Sequence, residues 1–184
     1  NFKIKRRTRV RVECARDIEA CNDPGECGAV VQYSLPKVTG DFPPFKFNCV
    51  PPSGSFFPAG FTVVTCTVTD SKGNKDTCNF TVTVLDCEAP ILICPDDIIQ
   101  GNDLWQCSAW LDPGTPVAVD NCGGWLDPTP VRSDGGFLFE PFPIGVTTIT
   151  WTVTDEVGNQ ATCTQSITIE DTEKPEAICP PDIF

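Results

Sequence analysis

Apolar and polar residues alternate along two stretches of this chain, and the second stretch repeats the first. In Phe57 to Leu85, FPAGFTVVTCTVTDSKGNKDTCNFTVTVL, the apolar side chains of Val64, Cys66 and Val68 alternate with Thr65, Thr67 and Thr69. A period of two marks a strand with one buried face. Asp70-Ser71-Lys72-Gly73-Asn74 then reads as a turn, because aspartate accepts from its own backbone and glycine supplies a positive φ. Cys78, Phe80, Val82 and Val84 alternate with Asn79, Thr81 and Thr83 as the return strand. The same hairpin recurs 85 residues on as Phe142 to Glu170, with Ile149, Trp151, Val153, Cys163, Gln165, Ile167 and Ile169 on the apolar side. Only Gln165, which replaces Phe80, breaks that row. A self-match at such a period signals a tandem array of small domains.

The matches extend beyond the hairpin. Glu13-Cys14-Ala15-Arg16-Asp17-Ile18 aligns with Ile93-Cys94-Pro95-Asp96-Asp97-Ile98, and again with Ile178-Cys179-Pro180-Pro181-Asp182-Ile183. Gly25-Glu26-Cys27-Gly28-Ala29-Val30 aligns with Trp105-Gln106-Cys107-Ser108-Ala109-Trp110 as a second strand. These offsets predict an extended arm at 1–12, repeats at 13–87 and 88–171, and the start of a third repeat or a terminal strand at 172–184. The joints at Asp86 to Pro90 and Asp171 to Pro175 are too short for flexible linkers, so neighbouring repeats are expected to stack semi-rigidly. Helix signals are almost absent, and short strands between regular turns predict an all-β, antiparallel sandwich in each repeat.

Taken together, Cys-Pro-x-Asp-Ile, Cys-x-Ala, Asp120-Asn121-Cys122, Phe-Pro-x-Gly, Thr-Val-Thr-Asp-x-x-Gly-Asn and Thr-Cys give a chain that resembles the hyalin repeat (HYR) family over about 14–86 and 94–171. The resemblance implies tandem immunoglobulin-like sandwiches in extracellular, adhesive or matrix proteins. Cys21, Cys66 and Cys87, which have no counterpart in the second copy, and Ala15 in place of a proline depart from the pattern.

Twelve cysteines in 184 residues change the picture most. Domains of this size bury thin cores and need staples, and such cysteine density belongs to an oxidising compartment, secreted or at the cell surface. In a sandwich the first and last strands start at one pole, which pairs Cys14 with Cys78 and Cys94 with Cys163. Cys66, on the inward parity where the second copy has Trp151, is expected to meet Cys49 on a neighbouring strand. Cys107 and Cys122 remain in the second repeat and are paired. Cys21 and Cys27 flank the turn Asn22 to Glu26 and are paired. Cys87 and Cys179 are left over and are assigned to intermolecular bonds. The absence of histidine and of any Cys-x-x-Cys pair argues against a zinc or redox role for these cysteines.

Charge is placed unevenly. Lys3, Lys5, Arg6, Arg7, Arg9 and Arg11 are six of the 13 basic residues, and the 172 residues after Val12 carry a net −18. A net charge of −12 argues against non-specific nucleic-acid binding, and no apolar run is long enough to span a bilayer as a helix. There is no signal peptide and no methionine, so the chain reads as a mature product or as a window on a longer one. No nucleophile and base pair suggests an enzyme. No cofactor is expected, although Asp96-Asp97 and Glu170-Asp171 are offered as calcium ligands at the joints. Asn79-Phe80-Thr81 is a glycosylation sequon on the outward parity of its strand.

These readings converge on an extracellular structural protein, a rod or fibre subunit acting in adhesion or matrix. In the arm, Phe2, Ile4, Val10 and Val12 share one parity and the basic residues the other. Such an arm is expected to add as a strand to the sheet edge of another molecule, head to tail, giving a filament. The alternative is a carbohydrate- or protein-binding ectodomain with Trp105 and Trp125 as exposed platforms; Trp110 falls on the apolar parity of a core strand. Other matrix proteins and glycans are the further partners considered.

Overall fold

A computed structural model describes residues 10–175. The chain divides into two compact units, Asn1–Glu88 and Ala89–Phe184. Every regular element among the described residues is a strand, with eight in each unit.

In the first unit the strands are β1 (Arg11–Glu13), β2 (Ile18–Cys21), β3 (Gly28–Val31), β4 (Lys37–Thr39), β5 (Lys46–Val50), β6 (Ser55–Pro58), β7 (Gly60–Thr69) and β8 (Lys75–Leu85). One layer is a four-stranded sheet in the order β2-β8-β7-β5. Opposite it lie the two-stranded pairs β1-β4 and β3-β6. The second unit repeats this plan with β9 (Ile91–Ile93), β10 (Ile98–Gly101), β11 (Ser108–Ala109), β12 (Val117–Val119), β13 (Thr129–Arg132), β14 (Phe142–Pro143), β15 (Gly145–Thr154) and β16 (Gln160–Glu170). Its large sheet runs β10-β16-β15-β13, and its small pairs are β9-β12 and β11-β14. Each unit is an immunoglobulin-like sandwich. One pairing in each departs from the antiparallel plan: β2 runs parallel to β8, and β10 parallel to β16.

The long hairpins form where the alternation places them. Val64, Cys66, Val68, Phe80, Val82 and Val84 are buried in the first unit; Ile149, Trp151, Val153, Ile167 and Ile169 are buried in the second. The turns are held by aspartate. Asp70 Oδ1 accepts from the amides of Lys72 and Asn74, both at 2.9 Å, while its Oδ2 accepts from Asn74 Nδ2 at 2.8 Å. Asp155 does the same for Val157, Gly158 and Asn159. Gly73 and Gly158 take φ of 81° and 102°, which no ordinary side chain adopts without strain.

The two cores differ where the sequences differ. In the first, Cys66 lies directly across from Cys49 and is bonded to it, and the Tyr33 ring meets Phe80 edge-on at 5.0 Å. In the second, Trp151 fills the place of Cys66 and Gln165 that of Phe80. Gln165 is fully buried with its polar atoms satisfied. Its Nε2 donates to the carbonyls of Asp96 and Pro113, both at 2.8 Å, and its Oε1 accepts from Trp151 Nε1 at 3.4 Å. The amide thus ties two connecting segments to the large sheet. Replacement by leucine keeps the volume but strands those two carbonyls, and leaving buried acceptors unmade costs about 1–3 kcal/mol each. Gln165→Leu is expected to destabilise the second unit by about 2 kcal/mol, read as a lower midpoint in chemical denaturation with disulfides intact.

Candidate functional site

The disulfides fix the frame on which any surface is carried. Cys14–Cys78 and Cys94–Cys163 close the two sandwiches, and Cys49–Cys66 crosses the first core. The remaining expectations are corrected. Cys21 is bonded to Cys87, so neither the Cys21–Cys27 bridge nor an intermolecular role for Cys87 holds. The parallel pairing of β2 with β8 is the reason: it sets Cys21 opposite Leu85 and brings the chain leaving β8 alongside, with Cα atoms 5.6 Å apart. Asn22 secures that exit, its amide donating to the Leu85 carbonyl at 2.9 Å and its Oδ1 accepting from the Cys87 amide at 2.9 Å. In the second unit Gly101 and Thr172 take the places of Cys21 and Cys87, and a Cβ on Gly101 would sit 2.9 Å from the Thr172 hydroxyl. The unmatched cysteines of the first repeat were the signal: two of them occupy one contact. Cys27 and Cys122 are also disulfide-bonded. Cys107 is an exposed free thiol, so the Cys107–Cys122 bridge does not form. Cys107 leads into β11, which pairs with β14, whereas Cys122 follows β12, which pairs with β9; the two lie on different small sheets. Cys179 lies outside the described residues, as do Phe2 and Ile4.

Two of the four arm residues are corrected as well. Val10 is buried, and Val12 stands in β1, paired with Val38 of β4. The Val12 amide also donates to Asp76 Oδ2 at 2.8 Å. These residues are the first strand of their own unit, in the place that Pro90 and Leu92 hold in the second. Neither is available to a neighbour.

Two of the carboxylates offered as cation ligands, Asp97 and Asp171, accept from backbone amides. Asp97 Oδ1 takes the Ser166 amide at 2.7 Å, as Asp17 takes that of Thr81, and Asp171 Oδ1 takes the Glu173 amide at 3.1 Å. Asn79 is exposed on β8. Trp125 and Trp105 are exposed, and Trp105 holds a φ of 64° where the first repeat has Gly25; Glu173 Oε1 accepts its amide at 2.7 Å. Trp110 is corrected: Ala109 points inward, so Trp110 points outward and is 63% exposed.

The sequence reading missed the most organised surface feature, the segment from Arg132 to Phe142. It is four residues longer than its counterpart between Val50 and Phe57, counted from aligned strands. Arg132 is only 5% exposed and holds the loop from inside. Its guanidinium pairs with Asp134, through Nε at 2.9 Å and Nη2 at 2.5 Å. Nη1 donates to the carbonyls of Phe137 and Glu140, both at 2.8 Å, and Nη2 to that of Pro141 at 3.2 Å. The charge lies 3.9 Å above the Phe142 ring centre. A planar fork with five donors suits a loop that must return several carbonyls to one point. Glu140 adds a further bond, its Oε2 accepting from the Phe137 amide at 3.1 Å.

What this scaffold presents is apolar. Phe137 is 76% and Phe139 84% exposed, and Val131 on the edge strand β13 and Trp110 at the end of β11 are exposed with them. Two clefts adjoin here. One, of about 370 Å³, is lined by Val131, Phe137 and Phe139 among others; the second, of about 300 Å³, by Trp110, Leu111 and Phe139. Exposed aromatics on a fixed backbone are the usual anchors of a protein contact, because little side-chain freedom remains to be lost.

The fold and surface define a class: a disulfide-closed pair of immunoglobulin-like modules, the second of which carries an exposed apolar face. The chain belongs to the HYR domain family, which it matches over residues 8–84 and 85–169. It is similar to Sushi, von Willebrand factor type A, EGF and pentraxin domain-containing protein 1 of Rattus norvegicus, 40% identical over 165 residues, covering 87% of this chain and 4% of that protein. It is also similar to Hyalin of Strongylocentrotus purpuratus, 34% identical over 131 residues, covering 68% of this chain and 11% of that protein. Among solved structures, Drosophila N-cadherin EC1-4 superposes with a TM-score of 0.47 at 12% identity, over 89% of this chain and 50% of that one.

Two outcomes follow from this geometry. The Arg132 hydrogen bond holds the Asp134 carboxyl below its ordinary value of 3.8, and Asn74 does the same for Asp70. A carboxyl depressed on folding contributes its stability fully above the unfolded value and loses it as pH falls through the lower native one. Thermal stability should therefore be level above about pH 5 and decline below about pH 4; Asp134→Asn should make that acid decline shallower. Separately, alkylation of the native, unreduced chain followed by peptide mass spectrometry should tag Cys107 and leave Cys21 and Cys87 unmodified.

Proposed function

We propose that this chain is an extracellular structural part of an adhesive or matrix protein, secreted or held at a cell surface, and that its copies associate with one another into filaments. The observation that carries the reading is the repeated, disulfide-closed sandwich of the HYR family, a form suited to bearing contacts in an oxidising environment rather than to turning over a substrate. Hyalin among its relatives supports the same direction. The organisation proposed is two repeats at 13–87 and 88–171 flanked by an arm and a further repeat start; the arm that one copy offers another is residues 1–9, since Val10 and Val12 belong to their own sandwich. The exposed Asn79 is the glycan acceptor where a eukaryotic secretory pathway makes the chain.

The arm carries Lys3, Lys5, Arg6, Arg7 and Arg9 without an acid, and the rest of the chain is strongly acidic. Attraction between arm and body is electrostatic and screened by salt. Sedimentation velocity and electron microscopy of the full chain should show assemblies that grow with protein concentration and shrink as salt is raised. Deleting residues 1–9 should leave folded monomers with an unchanged melting temperature. A full chain that stays monomeric at every concentration refutes self-association.

A further inference from the structure

We infer that the apolar face of the second unit, built on the Arg132-held loop, is the docking site for residues 1–9 of a second copy of this chain. The inference rests on the self-association proposed above and names the surface on which it occurs.

Three observations carry it. The first is preorganisation. Arg132 meets Asp134 and three loop carbonyls at once, so Phe137 and Phe139 are presented by a backbone already fixed before any partner arrives. Leu138 between them packs against the core while the two rings stand outside, and the loop that exposes them is an addition that the first repeat does not have.

The second is shape and spacing. The face has two adjoining clefts that share Phe139, and the arm has two apolar anchors, Phe2 and Ile4. In an extended segment, side chains two residues apart point to the same side about 7 Å from one another. One anchor then fills the cleft beside Val131 and Phe137, and the other the cleft beside Trp110. The mode is anchoring rather than strand addition, because Pro130 interrupts the donors of the edge strand β13.

The third is charge. Asp112 lines the second cleft and Glu140 stands in the loop, while the buried Arg132 is already paired with Asp134 and offers the face no free positive charge. An apolar face with an acidic surround suits a partner that alternates apolar and basic residues. Asn1-Phe2-Lys3-Ile4-Lys5-Arg6-Arg7 has that pattern: Phe2 and Ile4 supply the apolar anchors, and the basic run around them supplies the charge that an acidic surround attracts. A neutral sugar platform would draw nothing from the basic run.

The test compares the full chain with the double variant Phe137→Ser, Phe139→Ser by sedimentation velocity. Both rings are mostly exposed, so the variant should melt as the parent does. Self-association is expected to weaken by on the order of tenfold or more. As a second measurement, a synthetic peptide of residues 1–9 added to the parent chain should dissolve its assemblies, and a peptide with Phe2 and Ile4 replaced by serine should not. If the parent associates but the double variant associates equally, the docking site is wrong while self-association stands. If the parent never associates, both fall. If the variant loses binding to a glycan while its association is unchanged, the face is a sugar platform and the inference is overturned.

Discussion

The structure of each repeat depends on one covalent closure, the bridge from the end of its first strand to its last long strand. A core cluster of eight buried residues in the first repeat and six in the second is small for a sandwich of about 80 residues. Cys14–Cys78 and Cys94–Cys163 each close a loop, of 64 and 69 residues. Loop entropy assigns such a closure roughly 4 kcal/mol, a large part of the stability that a domain of this size retains. With that closure made, the two long hairpin strands can give their inward row to packing. Their outward row is left to threonine, which suits a solvated pleated face.

The two repeats solve the rest of the core in different ways, and the difference shows what the closure permits. The first places a second disulfide where the sheet faces the small pairs and fills the remainder with Phe80 against Tyr33. The second has no such bridge. It uses a larger ring, Trp151, and a buried amide, Gln165, which holds the segments at Asp96 and Pro113 to the sheet. Buried polar groups of this kind stabilise only when fully satisfied. Gln165 uses both of its ends, which is why a polar residue can sit in a row of valine and isoleucine.

Those same differences set what the sequence could show. The hairpins, the offset between repeats and the two closing bridges were legible because they rest on period-two alternation and on cysteines at matching places. Cys49 with Cys66 was legible because one lies on an inward parity and the other on the adjoining strand. Cys21 with Cys87 was not, because it depends on a parallel pairing between β2 and β8 that alternation does not reveal. Its trace was indirect: Gly101 and Thr172 replace both partners together. The parity of Trp110 was misread because β11 is two residues long, too short for its neighbours to reveal its phase. Val10 and Val12 were assigned to the arm for a related reason: they alternate with arginines whether they serve a short strand of their own domain or a neighbour's.

The Arg132 loop was invisible for a different reason, and that reason bears on function. A buried arginine inside a Pro- and Gly-rich stretch reads as one more surface charge, since its role exists only when five later residues curl back to it. Nothing in a repeat's fold needs the loop: the first unit joins β5 to β6 with a shorter segment and keeps the same sandwich. Its added length sets Leu138 against the core and leaves Phe137 and Phe139 in water, and exposing those two rings is an arrangement that folding alone does not favour. An array of similar domains can stabilise every member in the same way and still distinguish them, because segments outside the hairpin are free to vary. The distinct surface of this chain therefore lies where its two copies disagree, and the largest such disagreement ends in an exposed aromatic face.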